Sequence, residues 1–286
     1  MTSSMRRDSS PWRADTALIW TLRLLAAAAA GIVLLILVFL LIESIPALRT
    51  IGLVRFFSDA SWYPLSDRFN MAPMMAASLL VTVGAIALAI PLGFGSALFC
   101  RYYAPRWIAG AYRRMIEVLA GIPSVVFGFW GLVVLVPLVT HSLIAGILIL
   151  ALMILPTVAL IADASLARVP EELIHGSAAL GLTRWGMIRR VILPAARCGL
   201  MTSVILAVAR AIGETMAVLM VCGNVVQMPK GLLDPVRTLT ANIALEMAYA
   251  TDTHRSALFV SGLLLMVIVG LLIAMAEWIS KGRIYA

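Results

Sequence analysis

Arg210 and Glu214 are charged residues standing four apart inside an otherwise apolar run, 198–222. On a continuous helix this spacing places both side chains on one face, a turn apart. Arg210 is the thirteenth of the 25 residues in the run, so at 1.5 Å per residue it falls near the middle of a bilayer. On an insertion scale two such charges cost about 5 to 7 kcal/mol, and the nine Leu, Ile and Val of the run return roughly 3 to 5. The segment therefore needs polar company. One account is an ion pair that joins packed helices. The other is a polar conduit, because charges at mid-membrane depth line the pathways of ions and solutes. A planar guanidinium grips the oxygens of an oxyanion bidentately. In that account Glu214 orients Arg210 and keeps the empty conduit near neutrality, and Gly213 permits close backbone approach. Thr238 and Thr240, after Pro235, are turn residues unless their hydroxyls face the path.

The elements that must hold these residues are membrane helices. Across 286 residues, 62% are apolar and the mean hydropathy is +1.02, more apolar surface than a soluble domain buries. The sequence reads as an all-α, polytopic chain of about six spans: 18–42, 74–100, 118–139, 142–162, 198–222 and 257–279. A polar tail, 1–17, precedes a single transmembrane domain, 18–286. The first run is about twice the length of a signal-peptide core and lacks a cleavage pattern, so it reads as retained, with Arg23 snorkelling to the headgroups. Gly84, Pro91, Gly93 and Gly95 are tolerated in the second span where neighbouring helices pack closely. Pro156 is expected to kink the fourth.

Of the 22 lysines and arginines, 15 fall on the tail, the loops 101–114 and 163–197, and the C-terminal end when Arg23 of the first span is included, against six on the other side and Arg210 within the membrane. Positive-inside bias then puts both termini in the cytoplasm. This spread, at the ends of apolar segments rather than in one patch, argues against nucleic acid and for lipid. Glu117 and Glu277 fall at the cytoplasmic boundary. Cys100, Cys198 and Cys222 have no paired spacing, and His141, His175 and His254 are scattered, so no disulfide or metal framework follows.

The longest loop, 163–197, reads as two short helices around a glycine. Pro170, Glu171 and Glu172 suit a first turn. Gly181 suits the left-handed position past a helix end. Thr183 caps the next helix, on which Trp185, Ile188 and Ile192 share a face and Arg189 and Arg190 lie near the end. Pro194 is expected to terminate it.

These residues carry a resemblance. Gly181, nine residues, then Val191-Ile192-Leu193-Pro194 resembles the cytoplasmic "EAA" loop of ATP-binding-cassette importer permeases: EAA, three residues, Gly, nine residues, I-x-L-P. His175-Gly176-Ser177 replaces the EAA triplet. The stretches 120–126 (AGIPSVV), 211–217 (AIGETMA) and 238–240 (TLT) are similar to the phosphate-specific importer permeases, and 56–73 resembles the PstC-type subunit more than its PstA-type partner. The resemblance implies a type I, MetI-like permease fold in the bacterial inner membrane. It also implies a homologous PstA-type permease as the other half of the pore, a cytoplasmic ATPase dimer that binds ATP and Mg, and an extracytoplasmic phosphate-binding protein. Leu173, Ala178, Ala179, Leu180, Gly181 and Pro194 would then form the ATPase-coupling segment, and Arg210, Gly213, Glu214, Thr238 and Thr240 the substrate path.

The residues themselves exclude some chemistry. Gly181 to Gly186 has the gap of a P-loop, but Met187 stands where lysine belongs. No H-E-x-x-H, intramembrane serine–histidine pair or aspartate pair suits intramembrane proteolysis. No catalytic residue, cofactor or metal site is assigned to the chain. Gly93-Phe94-Gly95-Ser96 lies in an apolar run and reads as helix packing. The rival reading is a self-contained carrier or channel for an oxyanion such as sulfate or phosphate, in which Arg210 and Glu214 serve ion coupling.

Overall fold

The computed structural model describes residues 11–281; residues 1–10 of the expected tail lie outside them. Helix α1 spans Pro11–Thr50, well beyond the expected 18–42. A two-stranded hairpin follows, β1 (Trp62–Tyr63) against β2 (Arg68–Phe69). Then come α2 (Ala72–Tyr102), α3 (Arg106–Gly121), α4 (Ser124–Val139), α5 (Leu143–Ala167), α6 (Glu171–Ala179), α7 (Arg184–Gly213), α8 (Met216–Val221), α9 (Leu239–Glu246) and α10 (Asp252–Lys281). Among the described residues five helices are long and apolar enough to cross a membrane, and six if the bent pair α3–α4 counts as one span.

The centre of the molecule is the α2–α5 pair. A Cβ on Gly84 would lie 2.7 Å from the Ile147 side chain, and one on Gly93 2.7 Å from Val158. The missing side chains let the two helices approach, as expected for small residues at membrane helix contacts. Gly95 faces open space and takes no part. Met153 and Ile154 of α5 are fully enclosed, and Phe127 and Val218 join them from α4 and α8. Helix α1 packs on α10, with Phe39 edge-on to Phe259 and Ala47 in one buried cluster with Leu258 and Val260. Most of its remaining length is exposed.

Three expected boundaries move, each for a physical reason. The loop 101–114 is largely helical, and α3 meets α4 at 98°. Ile122 and Pro123 are extended at the break, because a residue before proline is pushed out of the α region. Val118 therefore belongs to α3, and the expected third span, 118–139, is divided between α3 and α4. Asp163 on α5 pins α3 through Arg113 at 2.8 Å, and Arg101 lies 3.6 Å away on its other oxygen.

Pro194 does not end its helix. The turn before it, Ile188–Ile192, widens to π-type hydrogen bonding, and α-geometry resumes at Leu193. Proline's missing N–H would orphan a carbonyl in the preceding turn, and a wider turn there re-partners the ladder. The amphipathic loop helix and the fifth span thus form one rod, α7. Ile188 and Ile192 are buried against Ala97, Ala162 and Leu166, but Trp185 is 61% exposed and leaves the face they share.

The fifth span also breaks. Helix α7 stops at Gly213, and Glu214 is extended before α8 begins at Met216. The stretch 223–254, expected as a plain external loop, folds back into the protein. Leu143 and Ile144 at the start of α5 donate to the carbonyls of Asp234 and Leu232, and Leu239 donates its N–H to Ser78 Oγ on α2. Irregular backbone is tolerated at membrane depth where protein surrounds it.

Candidate substrate path and coupling segment

Two places gather the singled-out residues. The first is a narrow cavity lined by Ser78, Thr82, Leu150, Ala211, Ile212, Glu214, Val218, Thr238 and Thr240. It has room for about one water molecule. Leu150 lies seven residues into α5, and Ser78 and Thr82 six and ten into α2. At 1.5 Å per residue the cavity sits about 9 to 15 Å below the hairpin end of these helices.

Local structure explains each polar wall. Thr238 is the N-cap of α9, its Oγ1 accepting from the Ala241 N–H at 3.3 Å. Thr240 Oγ1 donates to the Glu214 carbonyl at 3.1 Å and lies 3.2 Å from Thr238 Oγ1. The break after Gly213 frees the Glu214 carbonyl for that bond. The Glu214 carboxylate turns forward and accepts from the Ala217 N–H in the first turn of α8, 3.3 Å away, where the dipole favours negative charge.

Arg210 is not paired with Glu214. The break takes the two off one helical face, and no ion pair joins them among the described residues. Arg210 is exposed on a strip of α7 with Thr202, Leu206 and Gly213 and is not among the residues that line the cavity. Nothing lies within 4 Å of a Cβ built on Gly213. The structure thus brings Glu214, Thr238 and Thr240 together and places Arg210 and Gly213 on an adjoining open face. Ser78 and Thr82 escaped the sequence reading. Their signal was two hydroxyls four residues apart in the apolar second span.

The second place is the loop end. Helix α6 closes in a Schellman turn: Leu182 N–H to Ser177 O at 3.2 Å, Gly181 N–H to Ala178 O at 3.0 Å, with Gly181 at φ +72°. Ser177 is buried, and its hydroxyl donates to the Ile174 carbonyl. Leu173 is 44% and Leu180 83% exposed; Ala178 and Ala179 are exposed as well. Thr183 caps α7 by accepting from Gly186 N–H at 3.2 Å. A turn that is locked internally and apolar outside is built to be covered. Pro194, grouped with this segment in sequence, is exposed ten residues into α7 and apart from it.

No group of His, Cys, Asp or Glu among the described residues has metal-holding geometry. The fold is that of a polytopic helical membrane protein. Residues 89–284 match the family described as the binding-protein-dependent transport system inner membrane component, and the chain belongs to that family. It is similar to the probable ABC transporter permease protein YqgH of Bacillus subtilis (strain 168), 40% identical, covering 80% of this chain and 78% of that one. It is likewise similar to the phosphate transport system permease protein PstC of Xylella fastidiosa (strain 9a5c), 33% identical over 92% of this chain and 89% of the relative. A solved bacterial alginate ABC transporter, in complex with its pentasaccharide-bound periplasmic protein, shares the fold. There the TM-score is 0.67 at 13% identity, over 96% of this chain and 99% of that one.

Proposed function

We propose that this chain is one half of the membrane pore of an ATP-driven importer of inorganic phosphate. The observation that carries the reading is the 33% identity, along nearly the whole chain, to the phosphate transport permease of Xylella fastidiosa. The other half is a homologous PstA-type permease laid over the exposed Arg210 strip. Residues 171–182 insert into a cytoplasmic ATPase dimer, which holds ATP and Mg; the loop end and both termini are cytoplasmic, and the hairpin end faces an extracytoplasmic phosphate-binding protein. The chain moves phosphate without making or breaking a bond in it.

The path is lined by Arg210, Gly213, Glu214, Thr238 and Thr240. Arg210 stands at the pore axis between the two halves, where its guanidinium meets phosphate oxygens bidentately. Glu214, held in place by its cap on α8, keeps the path from trapping the anion. In the structure the cavity beside it takes about one water, so phosphate passes only after α8 or α9 moves.

The test is purification of the tagged chain in mild detergent, identification of what accompanies it, and reconstitution in vesicles. ATP-dependent phosphate uptake that needs all partners supports the reading. Uptake by the chain alone would make it a self-contained carrier, and uptake of sulfate in preference to phosphate would correct the substrate.

A further inference from the structure

Glu246 is the last residue of α9, is only 6% exposed, and was not among the residues that the sequence singled out. A carboxylate at a helix C-terminus opposes the dipole, and a buried one loses its hydration. Both costs are met here by donors from three separate segments. Arg237 Nη1 donates to Oε1 at 2.7 Å, Trp62 Nε1 donates to Oε2 at 2.8 Å, and His254 Nε2 lies 2.9 Å from Oε2.

Arg237 precedes α9 and runs along it. The same guanidinium donates to Asn242 Oδ1 at 3.0 Å and, through Nε, to the Asn224 carbonyl at 2.9 Å. Helix α9 is thereby strapped from before its first residue to its last, as a unit about 12 Å long. At its other end stand Thr238 and Thr240, the latter bonded to Glu214. A displacement at Glu246 is therefore a displacement at the wall of the cavity.

The third donor connects this unit to the outer surface. Trp62 belongs to the hairpin, where its ring meets Phe69 edge-on at 5.6 Å. The hairpin tip presents Leu65, 91% exposed, and Tyr63, 55% exposed. Asn242 Nδ2 is meanwhile buried with no hydrogen-bond partner among the described residues, which weakens this seat of α9 relative to one where the donor is paired.

We infer that Glu246 is a positioning residue of the substrate path: it holds α9, and so Thr238 and Thr240, in the seat seen here, and Trp62 makes that seat respond to a protein pressing on the outer hairpin. This rests on the substrate-path reading above. Release of the Trp62 bond lets α9 shift and widens the cavity.

The experiment uses the assembled complex in vesicles. Trp62→Phe removes the N–H and keeps a ring to pack on Phe69, and Glu246→Gln keeps the shape and removes the charge. The first readout is maximal phosphate uptake per assembled complex. The second is the rate at which a membrane-impermeant thiol reagent, added outside, labels Thr240→Cys in a Cys198→Ser background. Each variant is expected to speed labelling and to lower maximal uptake by about threefold or more, the scale of one lost hydrogen bond. The half-saturating concentration of phosphate-loaded binding protein should change little. Unchanged labelling and uptake per complex, including the case where only the amount of complex falls, would overturn the inference and leave Glu246 a structural group. Arg210→Gln is run alongside. Normal uptake in that variant would undermine the path reading, while labelling still reports whether Glu246 holds α9.

Discussion

The segment 171–182 and the segment 223–250 both interrupt the membrane helices, and they are built on opposite principles. The first, inner in the proposed orientation, satisfies its backbone in a Schellman turn and then turns Leu173, Ala178, Ala179 and Leu180 outward. The second, outer in that orientation, exposes Leu232, Leu233 and Tyr249 too, but buries Leu239 and Asn242 completely and seats Arg237 on Glu246, with Trp62 and His254 joining from outside the segment. The difference lies in what satisfies each segment: the first leaves the apolar side chains around its turn uncovered in the isolated chain, and the second encloses a carboxylate among donors.

The largest effect that would break this contrast is expected at Glu246→Ala. It leaves Arg237 without its carboxylate and Trp62 without an acceptor, and removing one member of a buried pair costs about 3 to 5 kcal/mol. The amount of folded chain should fall steeply in a thermal-shift measurement in detergent. A variant as stable as the parent would mean that the outer segment is not self-supporting.

Next in size is Gly181→Val. No atom lies within 4 Å of the added Cβ, but φ of +72° costs a β-branched residue about 1 to 2 kcal/mol. The chain should insert normally and lose capture of the ATPase. Full ATPase capture and stimulated hydrolysis would remove α6 from the coupling role.

Leu180→Glu sharpens the comparison. Because Leu180 is exposed in the isolated chain, its replacement should leave thermal stability within about 0.5 kcal/mol and weaken ATPase association about tenfold or more, as for an interface anchor. A loss of stability without a loss of association would show that the inner segment packs on its own chain.

The smallest effect concerns Asp59 at the hairpin. The Phe69 N–H, 3.0 Å from Oδ2, is the main cause that holds its carboxyl below the ordinary 3.8, with Arg55 adding to it. A depressed folded value stabilises the hairpin above the unfolded pKa, and that contribution is lost as pH falls through the folded one. Protease nicking of the hairpin in outside-out vesicles should therefore rise only below about pH 3.8, and Asp59→Asn should show the raised level at neutral pH. Equal nicking of parent and variant would separate Asp59 from hairpin order.

Much of this was legible in sequence because it depends on local chemistry. Gly181 with φ +72°, the Thr183 cap and the close approach at Gly84 and Gly93 follow from residue type and spacing. The Arg210–Glu214 face was misread because a helix was assumed to run on through Gly213. Propensity permits that, and the fold declines it when Thr240 takes the Glu214 carbonyl. Pro194 was misread in the opposite sense, since a π-turn can absorb a proline that would otherwise end a helix. The Glu246 cluster was out of reach, because Trp62 is 184 residues from its acceptor and no periodicity records such a pairing.

The central claim is that Arg210 meets the passing anion rather than holding helices together. In the structure Glu214 caps α8 and forms no ion pair with Arg210, so Arg210→Gln strands no ion-pair partner among the described residues. The decisive measurement is phosphate uptake normalised to assembled complex, with ATP hydrolysis followed in parallel. The account predicts normal assembly of Arg210→Gln and of the double variant Arg210→Gln with Glu214→Gln. Their uptake should fall by about tenfold or more, on the scale of a lost charge-assisted contact, with Arg210→Lys intermediate because it keeps the charge without the fork. Near-normal uptake per complex by the double variant would contradict it.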